Sequence, residues 1–271
     1  MTNKIISIGS EHNEYLAFGD DSQFKDTLAY AFIVIHSDKL EFVQSRIKRI
    51  KKIYRIPEHV PLHSRVLFSG NARDKEGLSH LNPYMIKNLI IKIIDLINRT
   101  PMYVRYATCS LKEHEDFFTK SGTEIELSDK DAELKQKLLV TPDPKGLLGL
   151  LAHFSLATPP EDPQIPGYDK CQIIISKDPT KVKLFGSQRR QAHYWSQGFS
   201  DIGSDGDTVY KMLPLVQEMK ETLMLEIADI VSYICSHALD NSTDNKNLFF
   251  LEQLNRIKYW TRSRYHPGTP K

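Results

Sequence analysis

A chain of 271 residues that is 40% hydrophobic and 26% charged has ordinary globular composition, with room for one large domain or two small ones and a sizeable core. The formal net charge of +2 gives no global electrostatic case for nucleic acid, so any such contact must rest on local patches. Met1-Thr2-Asn3-Lys4 opens without the apolar region of a signal peptide, and no apolar run approaches membrane-spanning length. Cys109, Cys171 and Cys235 lie far apart with no CxxC pair, so the sequence predicts reduced, buried thiols in a cytoplasmic protein without a membrane partner.

In chain order, residues 14–20 and 27–36 read as neighbouring antiparallel strands joined by a short polar link. The first runs Tyr15-Leu16-Ala17-Phe18-Gly19 straight into two adjacent carboxylates, Asp20 and Asp21. If the strand continues through them, they point to opposite faces. A carboxylate aimed at a packed face is costly unless a cation, a metal or hydrogen-bond donors meet it. A helix is predicted over about 38–54, with Leu40, Val43, Ile47, Ile50 and Tyr54 at helical spacing. Its other face carries Arg46, Lys48, Arg49, Lys51 and Lys52, read as a solvated surface rather than a phosphate-contacting patch. Residues 59–68 read as a short strand-like piece bearing His63, a residue type more often structural than catalytic in such a place. Asn82 and Pro83 open a helix with the stripe Ile86, Leu89, Ile90, Ile93, Ile94 and Ile97, which Pro101 ends. Residues 102–111 alternate like a strand.

Residues 112–133 are acidic and weakly patterned, and read as a surface excursion; residues 131–158 look helical on both sides of Pro142 and Pro144. The apolar run 171–175 is of buried-strand type, and Asp178 lies close to its C-terminal end, where ligand groups gather in α/β sheets. Residues 186–198 are polar and aromatic, with Arg189 and Arg190, and 201–207 is a turn-rich loop. The helix over about 222–238 is apolar nearly all round, which marks it as buried. Its only charges from Leu223 onward are Glu226 and Asp229, whose i, i+3 spacing puts both within reach of one ligand. A last helix, about 246–260, carries Leu248, Leu251, Leu254 and Ile257, and leads into a basic tail with Arg262, Arg264 and Lys271.

Asp and Glu are hard oxygen ligands suited to Mg²⁺ or Mn²⁺, and ions held by such residues can activate a water and stabilise a leaving oxygen in phosphodiester cleavage. The competing reading pairs these acids with arginines such as Arg65 or Arg105. The two readings differ in stability. Without metal, Glu226 and Asp229 should repel one another, and replacing both should leave the fold as stable or more so. If they hold arginines, the same change strands buried positive charge.

Phe18-Gly19-Asp20-Asp21-Ser22-Gln23 resembles a strand ending in Asp-Glu-Ser-Gly, and 225–233, Leu-Glu-Ile-Ala-Asp-Ile-Val-Ser-Tyr, resembles a late helix reading Gln-Leu-Ala-Asp-Leu-Val-Ala. Both motifs typify the domain-of-unknown-function 3800 family, and His63, with Leu62 and Ser64, resembles a histidine-bearing segment found between them. The resemblance spans about 14–238. It implies an α/β, ribonuclease H-like fold: a mixed sheet with helices on its faces, here with helical additions, in one domain over 1–271. It also implies an acidic site for Mg²⁺ or Mn²⁺, with Asp20, Asp178, Glu226 and Asp229 as ligands and Asp21 or His63 orienting substrate or moving protons. The function implied is a metal-dependent nuclease acting on RNA or DNA. The alternative is an inactive binding or scaffold protein on the same fold, as part of a defence or mobile-element system. Asp21, Gln23 and Glu226 depart from the motif's usual Glu, Gly and Gln, and Ser176 stands where such a site often has an acid. No Gly-rich phosphate loop supports a nucleotide-binding enzyme.

Overall fold

The apolar runs on either side of Lys25 and Asp26 pair as an antiparallel hairpin, and the first strand extends well past its apolar part. β1 spans Tyr15–Phe24 and β2 spans Thr27–His36, in register from Tyr15↔His36 to Phe24↔Thr27. The structure is a computed structural model that describes residues 14–113, 148, 151–152, 155–156, 171–177, 214–240 and 245–264. Asp20 and Asp21 therefore sit inside the ladder, opposite Ala31 and Tyr30.

Four further strands among the described residues complete one mixed sheet: β3 (Met102–Ser110), β4 (Cys171–Ser176), β5 (Leu215–Gln217) and β6 (Trp260–Arg264). The order is β5-β4-β1-β2-β3-β6. β2 is antiparallel to both β1 and β3, whereas β1–β4, β4–β5 and β3–β6 are parallel.

Helices cover the face that carries Leu16, Phe18, Ile33 and Val104: α1 (Leu40–Ile53), α4 (Pro83–Arg99), α5 (Leu223–Ala238) and α6 (Asn245–Arg256). Two short helices, α2 (Ser64–Phe68) and α3 (Gly70–Lys75), link α1 to α4. The opposite face carries Ala17, Tyr30, Phe32, Ile173 and Ile175, packed with Leu148, Leu151, Ala152 and Leu156. The chain is thus α/β, a mixed sheet flanked by helices. Among the described residues no helix is long and apolar enough to cross a membrane. Cys109, Cys171 and Cys235 are free and buried, as expected, and burial pushes the Cys109 thiol up to about 12.

Local chemistry sets the start of α4. The Asn82 side chain accepts the Met85 N–H at 2.9 Å and Pro83 takes the first turn, so α4 starts where the sequence predicts. All six apolar residues of its expected stripe are buried. In α5 every residue from Met224 to Ala238 except Tyr233 is buried.

Two expectations need correction. The strand-like piece over 59–68 is a loop leading into the helical turn α2, because the Asp229 carboxylate accepts the Ser64 N–H at 2.6 Å and so caps that turn. The last helix ends at Arg256 and buries Phe250, Gln253 and Leu254, leaving Leu248 and Leu251 62% and 38% exposed. The basic tail begins as an edge strand, in which residues 260–264 pair with β3. Asp178, Arg189, Arg190, Lys271 and the stretches 114–133, 186–198 and 201–207 lie outside the described residues.

Candidate metal centre

The site is built where β1 passes beneath α5. Even-numbered residues of β1 face that helix: Leu16 and Phe18 join its core, and Ser236 Oγ donates to Ser22 Oγ at 3.1 Å. Asp20 lies between Phe18 and Ser22 on this face and is 8% exposed. Its Oδ1 accepts the Asp21 N–H at 2.9 Å. Asp21 points from the other side of the strand and is half-buried. Burial first, and then the charges of Asp20 and Asp21, push the Tyr30 phenol well above its ordinary range.

Gly19 fixes how closely the strand is covered before the two acids. A Cβ there would clash with the Phe32 ring, meeting Cδ1 at 2.8 Å, and would lie 2.8 Å from Tyr30 Cε1. Both rings are fully buried and have no free direction to yield. Gly19→Ala is expected to lower stability by about 1–3 kcal/mol, the usual range for overpacking, read as a drop in the urea midpoint at unchanged slope.

On α5, Glu226 and Asp229 share one side of the helix, yet they do different work. Lys51 of α1 is fully buried and donates to Glu226 Oε1 at 3.0 Å, to Glu226 Oε2 at 3.3 Å and to the Glu58 carbonyl at 3.1 Å. Those three acceptors match the three protons of an ammonium. Glu226 Oε2 also accepts the Leu62 N–H at 3.0 Å. Burial pushes the Glu226 carboxyl upward, while Lys51 and the Leu62 N–H oppose that shift.

Asp229 accepts the Ser64 N–H through Oδ2, and its Oδ1 lies 3.0 Å from the buried Nδ1 of His63. Two carboxylates one helical turn apart thus hold the N–H groups of residues 62 and 64, two residues apart on an extended segment, with His63 between them. Asp229 raises the His63 imidazole above its ordinary 6.5, against partial burial and Arg65, with a smaller contribution from Asp21.

The expected alternative partners are elsewhere. Arg65 is exposed, and Arg105 lies on the opposite face of the sheet, where its Nε donates to the Ser155 carbonyl at 3.0 Å. Lys51 corrects the reading of the α1 basic face as wholly solvated. It stands four residues after Ile47 and three before Tyr54, so the stripe's own period already pointed it inward. The expectation that replacing Glu226 and Asp229 leaves the metal-free fold as stable no longer holds for Glu226, whose loss strands Lys51.

The raised His63 fixes the sign of a pH effect. A histidine protonated more readily in the folded state contributes stability that is complete below about 6.5 and fades as pH rises through the folded value. In EDTA, the parent is expected to lose part of its stability as pH rises above about 6.5, and His63→Gln is expected to reduce that slope, as read by urea titrations at increasing pH.

Among the described residues no group of three or more His, Cys, Asp or Glu side chains is placed to hold a metal ion. Mg²⁺ commonly keeps several waters and takes one or two carboxylates plus substrate phosphates, so Asp20 with Asp229 matches its donor chemistry. Ser64, whose N–H is on Asp229, also carries a buried Oγ with no hydrogen-bond partner among the described residues. A buried orphan hydroxyl on the residue whose N–H meets the Asp229 carboxylate is a polar group for which a hydrated, oxygen-seeking ion would be a partner. Compared with protein-family models, with curated proteins and with solved structures, the chain matches none of them.

Proposed function

We propose that the chain is a Mg²⁺- or Mn²⁺-dependent nuclease of ribonuclease H-like type, with Asp20 and Asp229 as its principal ligands. The observation that carries the reading is the placement of Asp20 on the buried face of a central strand, directly beneath the helix that carries Asp229. The mixed sheet flanked by helices is also what the resemblance of 18–23 and 225–233 implies. Asp178 would add a ligand from beyond β4.

A divalent ion at Asp20 and Asp229 would supply Lewis-acid activation of a phosphodiester and of a water. Asp229 also orients His63, which presents a half-exposed ring for proton transfer at the substrate. Asp21 orients substrate from the strand's other side. Glu226 and Lys51 hold the 58–64 loop on α5 and thereby fix His63 against Asp229.

The reading is tested with purified protein, Mn²⁺ and labelled RNA, DNA and RNA–DNA hybrid. Cutting of at least one substrate is expected, with none by the Asp20→Asn, Asp229→Asn double variant. Activity that survives in that variant places the chemistry elsewhere. The Lys51–Glu226 pair favours the second reading, a non-catalytic module, because it gives one expected ligand a structural partner; no cutting of any substrate would support it.

A further inference from the structure

We infer that the C-terminal end of α1 is a docking cleft for the phosphate backbone of a nucleic acid, and that Arg55 is placed there at the expense of backbone comfort. Lys48, Arg49, Lys52 and Arg55 line a cavity of about 410 Å³ with Glu58 as its one acid. Glu58 pairs with Lys48 at 3.3 Å. Arg49, Lys52 and Arg55 are exposed, and among the described residues no carboxylate is paired with them. A chain whose net charge is only +2 thus gathers four cations on one concave surface. Side chains four apart on a helix stand about 5–6 Å apart, so Lys48 and Lys52 form a pair suited to successive anionic groups, and Arg55 lines the same cavity from just beyond the helix end.

Helix C-termini favour cations in any case, so composition alone does not make a site. The backbone adds a second observation. α1 ends in a Schellman turn, with Arg55 N–H donating to the Lys52 carbonyl at 3.1 Å and Ile56 N–H to the Lys51 carbonyl at 2.9 Å. The residue that must turn left-handed there is Arg55, at φ 53°. Glycine is the residue that takes this position without strain. An arginine kept where glycine would relax the chain points to a role for its guanidinium.

Position favours nucleic acid over a membrane surface. The cleft opens onto Pro57 and Glu58, and six residues after Pro57 the same segment delivers His63 to Asp229. Six residues span at most roughly 20 Å, a few nucleotides' length. A strand lying in the cleft is therefore within a few nucleotides' length of the candidate centre. The inference takes its ligand class from the nuclease reading, but it is measured without catalysis.

The test is fluorescence anisotropy of the full chain with labelled single-stranded RNA and DNA in EDTA, over a range of salt. The parent is expected to bind with a falling salt slope. Arg49→Ala with Lys52→Ala is expected to weaken binding about tenfold and flatten the slope by roughly 1.4, at about 0.7 per lost phosphate contact. Arg55→Gly is expected to melt higher than the parent and yet bind more weakly, which a role confined to the helix end would not give. Lys92→Ala, on the exposed side of α4, serves as a control with no change expected. Parent-like binding by the double variant and by Arg55→Gly overturns the inference. So does the absence of any binding by the parent, or tighter binding to phosphatidylserine vesicles than to either oligonucleotide. Cleavage by the parent, measured beside binding, separates the two proposals: cleft-dependent binding with no cleavage sinks the nuclease reading and leaves the cleft standing.

Discussion

Glu226→Gln is expected to lower the melting temperature by roughly 10 °C in EDTA, the largest stability effect of any single change at the site. The cause is Lys51, fully buried and held by both oxygens of Glu226. Glutamine keeps the volume and can still accept the Leu62 N–H, but it leaves an ammonium buried without its counter-charge. Breaking a buried pair from one side costs about 3–5 kcal/mol. Lys51→Met in the same chain should recover most of the loss, because replacing both partners removes the stranded charge as well as the pair. A Glu226→Gln variant as stable as the parent would mean that the ammonium is solvated or deprotonated in place, and that the pair does not organise α1, α5 and the 58–64 loop.

Asp229→Asn is expected to act on activity far more than on stability. Asparagine is isosteric and its Oδ1 can still accept the Ser64 N–H, so α2 keeps its cap and the melting temperature should change little. Metal affinity and phosphodiester cleavage should fall by more than about 100-fold, beyond the 10–100-fold typical of groups that only support a ligand. Lys51→Met with Glu226→Gln should stay within that smaller range, since those residues position the loop rather than touch the substrate. Single-turnover cleavage rates for the two variants order the roles. Equal losses would mean that Asp229 is a supporting residue too.

The parts of the fold that periodicity controls were legible in the sequence. The β1–β2 hairpin, the α4 stripe and the wholly buried α5 arise from apolar residues at periods of 2 and 3.6. What the pattern could not carry is contact between distant elements. Lys51 reads as one more cation in a basic run; its place on the apolar stripe points it inward, but the partner that holds it, Glu226, lies in a helix far along the chain and cannot be read from that stripe. The i, i+3 spacing of Glu226 and Asp229 correctly placed them on one side of α5, but not on different partners, because Leu62 and Ser64 offer backbone N–H groups that no residue code announces. Residues 59–68 carry β-formers yet turn into α2, since a cap from Asp229 outweighs weak local propensity. β6 is polar and short, as edge strands often are, and it pairs in parallel across a long connection, which leaves no hairpin signal to read. In the last helix Phe250 rather than Leu248 or Leu251 is buried; its ring packs against Phe68, Tyr233 and His237, contacts set by tertiary packing.

The central claim is that Asp20 and Asp229 together hold a divalent metal, and a thermal melt with and without millimolar Mn²⁺ addresses it most directly. A ligand bound only by the folded state at about 100 times its Kd adds about 2.7 kcal/mol, which for a chain of this size raises the melting temperature by roughly 5–10 °C. That rise is expected in the parent and in Lys92→Ala, and is expected to vanish in Asp20→Asn and in Asp229→Asn. An unchanged parent melt, or an equal rise in both aspartate variants, would contradict the claim.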